Sequence, residues 1–368
     1  MHTIIQPGSD LHQLTQNPLK ADVINTSINN LHISQAQPLP HIISLFCGAG
    51  GLDLGFYQED FKISLAIDIS SAAIRTHKRN FDNTHSVAAD LTDLGPNGVL
   101  QLVKAQIPIK SRIGIIGGPP CQGFSRANSK STTNDPRNQL PTKYLEIVEH
   151  LKKHFSVEFV VFENVLGIKD KKHAATYCSI LNGLNILGFN VAENELCSLD
   201  FGVPQNRNRV VLSAMRKWRG YSKVEPLKNT GLTTVRSAIG NLPPPAFFSP
   251  KLNPNDIPVH RNHWTMRPKS PRFHNPEMFN KATHSRSFKR LSWDKPSPTI
   301  AFGHREIHVH PNGTRRLSIY EAMLLQGFPK EFVLEGNLSE QVEQISNAVP
   351  PPLARSIAFA IKRSLSGL

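Results

Sequence analysis

Three short stretches of this chain carry side chains that could do chemistry together. Cys121 stands behind two prolines in "GGPPCQGFS" (117–125), Glu163 sits near the end of the apolar run "VEFVVFENV" (157–165), and Gln205, Arg207 and Arg209 alternate in "QNRNR" (205–209). Consecutive prolines fix φ and remove amide donors, so the loop is stiff and the next side chain is held in place. A thiolate is a nucleophile, but a free cysteine, with a pKa of about 8.5, needs positive or dipolar surroundings to populate it. Cys121 is therefore either a mounted nucleophile or a small buried residue at a tight turn. Glu163 would be costly to bury without a partner; it is either half of a charged site or the cap of the next helix. On an extended chain Gln205, Arg207 and Arg209 point to one face. The arginines there either clamp an anion or carbonyl group, or neutralise surface acids.

A second group of residues suits a nucleotide-like ligand. In "HIISLFCGAGGLDLGF" (41–56) an apolar run enters a glycine-rich turn, where backbone and ligand can approach closely. The glycines, Gly48, Gly50, Gly51 and Gly55, do not follow the G-x-G-x-x-G spacing of a dinucleotide site, which weakens hydride chemistry. Asp68 ends the following run, where it can accept from ribose hydroxyls. Asp90 ends the third run and can receive an adenine amino group. "HREIHVH" brings His304, His308 and His310 close together. A metal is conceivable there, but a phosphate contact or a packed turn is the expected role, and no metal is expected.

The elements that must position these residues follow a βαβ rhythm. "HIISLF", "FKISLAID", "SVAAD", "RIGIIGG" and "VEFVVFEN" are short strand-like runs. "YLEIVEHLKKHF" provides a helical crossover, and "FNVAENELC" and "NRVVLSAM" follow as late strands. That pattern predicts an α/β fold with a mostly parallel, doubly wound sheet. Residues 1–40 read as a flexible extension and 41–214 as the core of the fold. Residues 215–290, rich in proline and without clear periodicity, read as a smaller irregular domain, and 291–368 as a return to order. Between Lys251 and Lys295, ten Lys or Arg face three Asp or Glu, interleaved with Trp264, Phe273, Phe279, Phe288 and Trp293. Such a mixture suits a phosphate and base surface, or else a solvated loop with aromatic anchors.

Composition points the same way. The 368 residues carry 42 Lys and Arg against 28 Asp and Glu, a formal charge of +14, which favours a polyanionic partner. The four cysteines lie far apart with no C-x-x-C pair, arguing against a disulfide scaffold or zinc module and for a reducing cytosol. No apolar stretch approaches about 20 residues, and the N-terminus lacks a signal-peptide pattern. A soluble, cytoplasmic protein without membrane attachment is expected.

In chain order, "SLFCGAGGLDLGF", "GGPPCQGFS", "FENV", "QNRNR", "RLSWDKPSPTI", "LLQGFP" and "ISNAVPP" resemble the cytosine-C5 DNA methyltransferases of bacterial restriction-modification systems. The resemblance runs from His41 to the C-terminus, leaving out the extension and residues of about 215–290, the family's variable target-recognition region. It implies a Rossmann-like mixed sheet dependent on S-adenosylmethionine, double-stranded DNA as substrate, a monomer, and a cognate restriction endonuclease as functional partner. By residue, it implies Cys121 as the nucleophile at cytosine C6 and Glu163 at N3 and the exocyclic amine. Arg209 falls at the O2 carbonyl, with Arg207 in support. The cofactor would lie along Phe46, Gly48, Gly50 and Gly51, with Asp68 and Ile69 at the ribose, Asp90 and Leu91 at the adenine, and Pro119, Asn347 and Ala348 closing the pocket. Ser125, Arg126, Gln205, Arg290 and Thr299 would meet DNA or order the recognition region, and the target base must be flipped out. The chain departs from the family where Ser346 replaces the glycine common before Asn347; a serine at positive φ would be strained. Two other readings are methylation of tRNA and a catalytically silent DNA-binding relative.

Overall fold

The computed structural model describes residues 37–120, 139–221, 224–229, 231–275, 288–302 and 306–367. Cys121, Ser125, Arg126 and His304, and the extension up to residue 36, lie outside the described residues.

Apolar runs bounded by glycine or acid become strands β1 (His41–Leu45), β2 (Ile63–Asp68), β3 (His85–Ala88), β4 (Arg112–Gly117) and β5 (Ser156–Asn164). Helices α1 (Gly51–Tyr57), α2 (Ser71–Asn80), α3 (Leu91–Gln106) and α4 (Leu140–Lys152) connect them. Helix α5 (Ala174–Ile186) then leads to β6 (Phe189–Cys197), and the short β7 (Gln205–Asn206) precedes β8 (Asn208–Arg216). The large sheet runs β3-β2-β1-β4-β5-β8-β6. Its first five strands are parallel, and β8 is antiparallel to both neighbours. The fold is the mixed α/β sheet expected, and the two late strands pair from Phe189↔Arg216 to Cys197↔Asn208.

Parallel strands buried on both faces need apolar residues at odd and even positions alike. Ile43 and Leu45 face one core, with Val99 of α3, Ile147 and Leu151 of α4 and Ile180 of α5. Ile42 and Val161 face the other, with Phe56 of α1. The last helix, α9 (Pro351–Leu365), completes that second core through Leu353, Ile357 and Ile361. A side chain at Gly55 would place its Cβ 2.3 Å from the Arg355 nitrogen and 2.5 Å from the Ala354 Cβ, so α1 and α9 touch backbone to backbone.

A third core joins α6 (Val235–Ile239), α7 (Ile319–Leu325) and α8 (Leu338–Asn347), burying Val235, Ile239 and Trp264 with Leu291, Met323 and Ile345. The proline-rich stretch is thus tied to the residues that follow it. Ser318 and Asn337 start α7 and α8 with reciprocal capping boxes to Glu321 and Glu340, each of which satisfies amide donors that a helix start leaves orphaned. No described helix is long and apolar enough to cross a membrane.

Candidate functional site

The order of the sheet reverses between β1 and β4, and ligands of open α/β sheets bind outside the carboxyl ends of the strands at such a point. A cleft of about 330 Å³ opens there, within the range of a small-molecule site. Phe46 and Gly48 line it after β1, Asp68 and Ile69 after β2, Gly117 to Pro120 after β4, Glu163 on β5, and Ser346, Asn347 and Ala348 at the end of α8.

The turn after β1 is held by Asp68, whose two carboxylate oxygens accept the amides of Gly48 and Ser70, both at 2.8 Å. Burial pushes the Asp68 carboxyl up despite these bonds, and each oxygen keeps a lone pair for a hydroxyl. Phe46 adopts φ 55°, an uncommon conformation for a bulky residue that is found where a site over-determines the backbone. The glycines divide their work. A Cβ on Gly48 would meet nothing within 4 Å, whereas one on Gly50 would strike the Phe81 ring at 2.6 Å and one on Gly51 the Val349 carbonyl oxygen at 2.4 Å. Gly48 and Gly51 both line the cleft, but only Gly48 has room for a Cβ; Gly50 and Gly51 are needed for packing.

Opposite the turn, Glu163 pairs with Arg209 at 2.8 Å between Oε1 and Nε. Burial raises the Glu163 carboxyl above the usual carboxylate range, against the pull of Arg209 and then Arg207. A Cβ on Gly118 would lie 2.9 Å from Glu163 Oε2, so the Gly-Pro-Pro loop rides directly over this carboxyl. Asn164 donates to the Pro119 carbonyl at 3.2 Å and fixes the loop to the end of β5. Cys121, next after Pro120, lies outside the described residues. Cys47 is buried, and burial with Asp68 and Asp53 nearby pushes its thiol well up, as expected of an inert cysteine.

The C-5 cytosine-specific DNA methylase profile matches residues 41–363. The chain belongs to this family. It is 32% identical over 350 residues to the type II methyltransferase M.MthTI of Methanothermobacter thermautotrophicus, covering 89% of this chain and 98% of that protein. It is also 32% identical to the type II methyltransferase M1.HphI of Haemophilus parahaemolyticus over 341 residues, 87% and 86% of the two chains. A solved E. coli prophage-encoded protein, described as a DNA modification methyltransferase, superposes with a TM-score of 0.72 at 25% identity, covering 89% and 99% of the two chains. The chain is a DNA cytosine methyltransferase.

Within the methylase fold, several residues expected at the site also make contacts of their own. Asp90 caps α3 by accepting the Thr92 amide at 2.7 Å, and Leu91 is buried in the first core. Gln205 is fully buried. Its amide donates to Gln326 and its Oε1 accepts the Ile300 amide at 3.2 Å, so it braces the protein interior and is not presented to DNA. Arg207 is buried too, donating to the Ser346 carbonyl at 2.7 Å. The expectation of a strained Ser346 is corrected by its backbone: the residue lies in the last turn of α8 and has no positive φ. Thr299 donates to the Asn206 carbonyl at 3.3 Å, tying the strap after the proline-rich stretch to β7, and Arg290 donates to the Pro311 carbonyl at 2.7 Å within that later segment. His308 packs into this strap, bonded to the Thr299 carbonyl at 2.8 Å. His310 packs edge-on against Trp293. These are the contacts of a packed turn.

Asn164 and Gln326 were not singled out in the sequence. Asn164 is adjacent to Glu163 in "FENV". Gln326, in "LLQGFP", donates to the Ala348 carbonyl at 2.7 Å while receiving Gln205, a long-range link that no local spacing announces.

Proposed function

We propose that the protein transfers a methyl group from S-adenosylmethionine to C5 of a cytosine flipped out of double-stranded DNA. The observation that carries this reading is Glu163: a buried carboxyl of raised pKa, paired with Arg209 and lying beneath the Pro-Pro loop. Cytosine C5 is a weak nucleophile. In this reading the Cys121 thiolate forms a bond to C6, and the electron pair displaced from the C5–C6 double bond is delocalised toward N3. Glu163, whose carboxyl pKa burial raises against the pull of Arg209 and Arg207, donates to N3, and Arg209 donates to O2; donors placed where charge develops are worth the most. Arg207, buried against Ser346, holds the β7–β8 corner so that Arg209 stays in place. When bound, the donor supplies an electrophilic methyl on its sulfonium. C5 takes this methyl as its bond to sulfur breaks, leaving S-adenosylhomocysteine as a neutral thioether; N3 returns its proton to Glu163, the C5 proton is lost to base, and Cys121 leaves C6 as the thiolate with restoration of the double bond.

The cleft fits the donor. Asp68 has lone pairs for ribose hydroxyls, Ile69 offers 68% of its surface as an apolar wall, and Gly48 leaves the turn unobstructed. Residues 215–290 would read the DNA sequence, with Arg290 and Thr299 ordering them and Ser125 and Arg126 contacting the opened duplex. Flipping costs a few kcal/mol, which phosphate contacts offset. The type II relatives support a protective role beside a restriction endonuclease, with the enzyme acting as a cytoplasmic monomer.

Incubation with the donor and duplex DNA carrying 5-fluorocytosine tests the chemistry, because fluorine cannot leave as a cation and a covalent complex should accumulate. Absence of that complex on DNA that is otherwise methylated, or methylation by Cys121→Ser, would overturn it. Preferential labelling of tRNA over duplex DNA would overturn the choice of substrate.

A further inference from the structure

The end of the sheet opposite the cleft carries a basic surface that methyl transfer leaves unused. There β4 and β5 begin side by side, with Arg112 beside Ser156, and β8 ends at Arg216 beside Phe189, the first residue of β6. Along β5, Ser156 stands roughly 26 Å from Asn164 at the cleft, since a strand rises about 3.3 Å per residue. Three segments reach this end, residues 104–112, 150–154 and 216–219, and together they hold eight Lys or Arg and no Asp or Glu. They are in contact. The Lys110 amide donates to the His154 carbonyl and the Ser156 amide to the Ser111 carbonyl, both at 2.9 Å, and Arg216 donates to Ser156 Oγ at 2.6 Å.

Two carboxylates pair with these cations. Glu158 is fully buried and lies 3.6 Å from Arg112, 3.4 Å from Arg216 and 3.5 Å from Arg219, so one negative charge meets three positive. Glu149 pairs with Lys153 at 3.2 Å on the open surface, where water and salt screen it. Lys104, Lys110, Lys152 and Lys217 are in no ion pair among the described residues. Lys104 and Lys152 stand in the last turns of α3 and α4, where a cation suits the helix dipole; that does not account for Lys110, Lys217 or the surplus around Glu158. The crowding is felt at His154, held below the usual histidine pKa by desolvation and then by Lys104, His150 and Lys153. The arginines are also fixed in place. Trp218 is 66% exposed, and the guanidinium carbons of Arg216 and Arg219 lie 4.4 and 4.6 Å from its ring centroid. Guanidinium groups stacked and ion-paired in this way are preorganised, so less freedom is lost when they grip an anion.

We propose that this face is a second, sequence-independent contact for duplex DNA, gripping the phosphates of one segment while the cleft addresses another. Charge complementarity selects the occupant: eight cations against two carboxylates leave a formal excess of six, and a duplex offers a negative charge about every 1.7 Å of its axis. Such contacts position a duplex without reading its bases. The face stands at the far end of the strands from Glu163, so a straight duplex in the cleft does not reach it. Contact takes a second segment, on a looped stretch of the same molecule or on another. A DNA methyltransferase built this way stays on long DNA after its cleft has let go.

The test mixes the full chain with two short duplexes of A·T pairs, one carrying a donor dye and the other an acceptor, and reads energy transfer between them. At low salt the wild type should bring the two together. In the triple variant Lys110→Gln, Lys152→Gln, Lys217→Gln the second duplex should bind at least about tenfold more weakly, and the slope of log K against log salt should shrink by about 2–3, at roughly 0.9 per lost phosphate contact. The same variant should methylate a short cytosine-containing duplex at the wild-type rate, which also shows that it folds. Trp218→Ala, which frees Arg216 and Arg219, should weaken the second duplex several-fold with that rate unchanged. Absence of transfer with the wild type, transfer unchanged in the triple variant, or methylation of the short duplex lost in parallel overturns the proposal. Transfer that grows with the square of protein concentration assigns the bridging to two copies of the chain and overturns it too. So does displacement of the second duplex by polyglutamate as readily as by unlabelled duplex of equal charge, which would give the face to acidic protein segments.

Discussion

Glu163 illustrates how one residue's surroundings set its chemistry. Burial raises its carboxyl pKa while Arg209 and Arg207 oppose the rise; the neutral acid therefore persists to higher pH than an ordinary glutamate would allow. If that acid donates to the base, the methylation rate falls as pH rises through the Glu163 pKa. Glu163→Gln should lower kcat by about 10²–10³, the usual loss for one preorganised donor or acceptor at a developing charge. It should also remove that alkaline limb while leaving S-adenosylhomocysteine binding intact. Tritium transfer to DNA across a pH series reads both effects, and a Gln variant of near wild-type rate would exclude the role. Cys121, Glu163 and the arginines could be picked out from sequence because their types and mountings are chemically unusual. Asp53 could not: an acid in an amphipathic helix start reads as a solvated first-turn charge until α2 and the cleft are seen to enclose it.

At the level of elements, the glycine-rich start of α1 serves two ends. Its spacing reads as a ligand cradle, yet only Gly48 is free of close neighbours, while Gly51 and Gly55 admit α9 and the chain before it. Gly55→Ala should destabilise the protein by about 1–3 kcal/mol, as overpacking of a tight core does, measurable by urea denaturation. An unchanged midpoint would mean that the α1–α9 approach is less close than described. The strands were legible because alternation, length and terminal acids are local properties. The link from Gln205 to Gln326 and Ala348 was not, because it joins residues 121 and 22 positions apart that only the fold makes neighbours.

For the whole molecule, stability should fall in mild acid. His308 is buried, and burial lowers its pKa from 6.5 to about 4; His260 is lowered to about 4 by the same cause. Above pH 6.5 both are neutral folded or unfolded and contribute nothing to pH dependence. Between pH 6.5 and 4 the unfolded chain takes up protons that the folded chain refuses, so stability is lost as pH drops. For His308 the loss approaches about 3 kcal/mol. Melting temperature should therefore decline over that window, less steeply in His308→Gln, which keeps a donor for the Thr299 carbonyl; parallel curves would show that His308 is not responsible. Net charge has a different scale of meaning: the chain is basic by +14, yet the cleft is walled by Asp53, Asp68, Glu163, Glu340 and Glu343. Composition gives the overall basic balance, and only folding gathers these acids onto the wall of one cleft.

The sequence by itself determined the family, through a resemblance that also implied a mixed sheet, the succession of strands and helices along the chain, and the identity of the groups proposed for catalysis. These rest on local pattern and on motifs whose residues are close in the chain. Tertiary structure decided what each of those residues touches, and which sites they share: that Gln205 braces the interior, that Asp90 caps a helix, that Ser346 is helical, and that Arg209 pairs with Glu163 on the cleft wall. Burial and hydrogen-bond satisfaction depend on segments far apart in sequence, so they exist only once the chain has closed on itself.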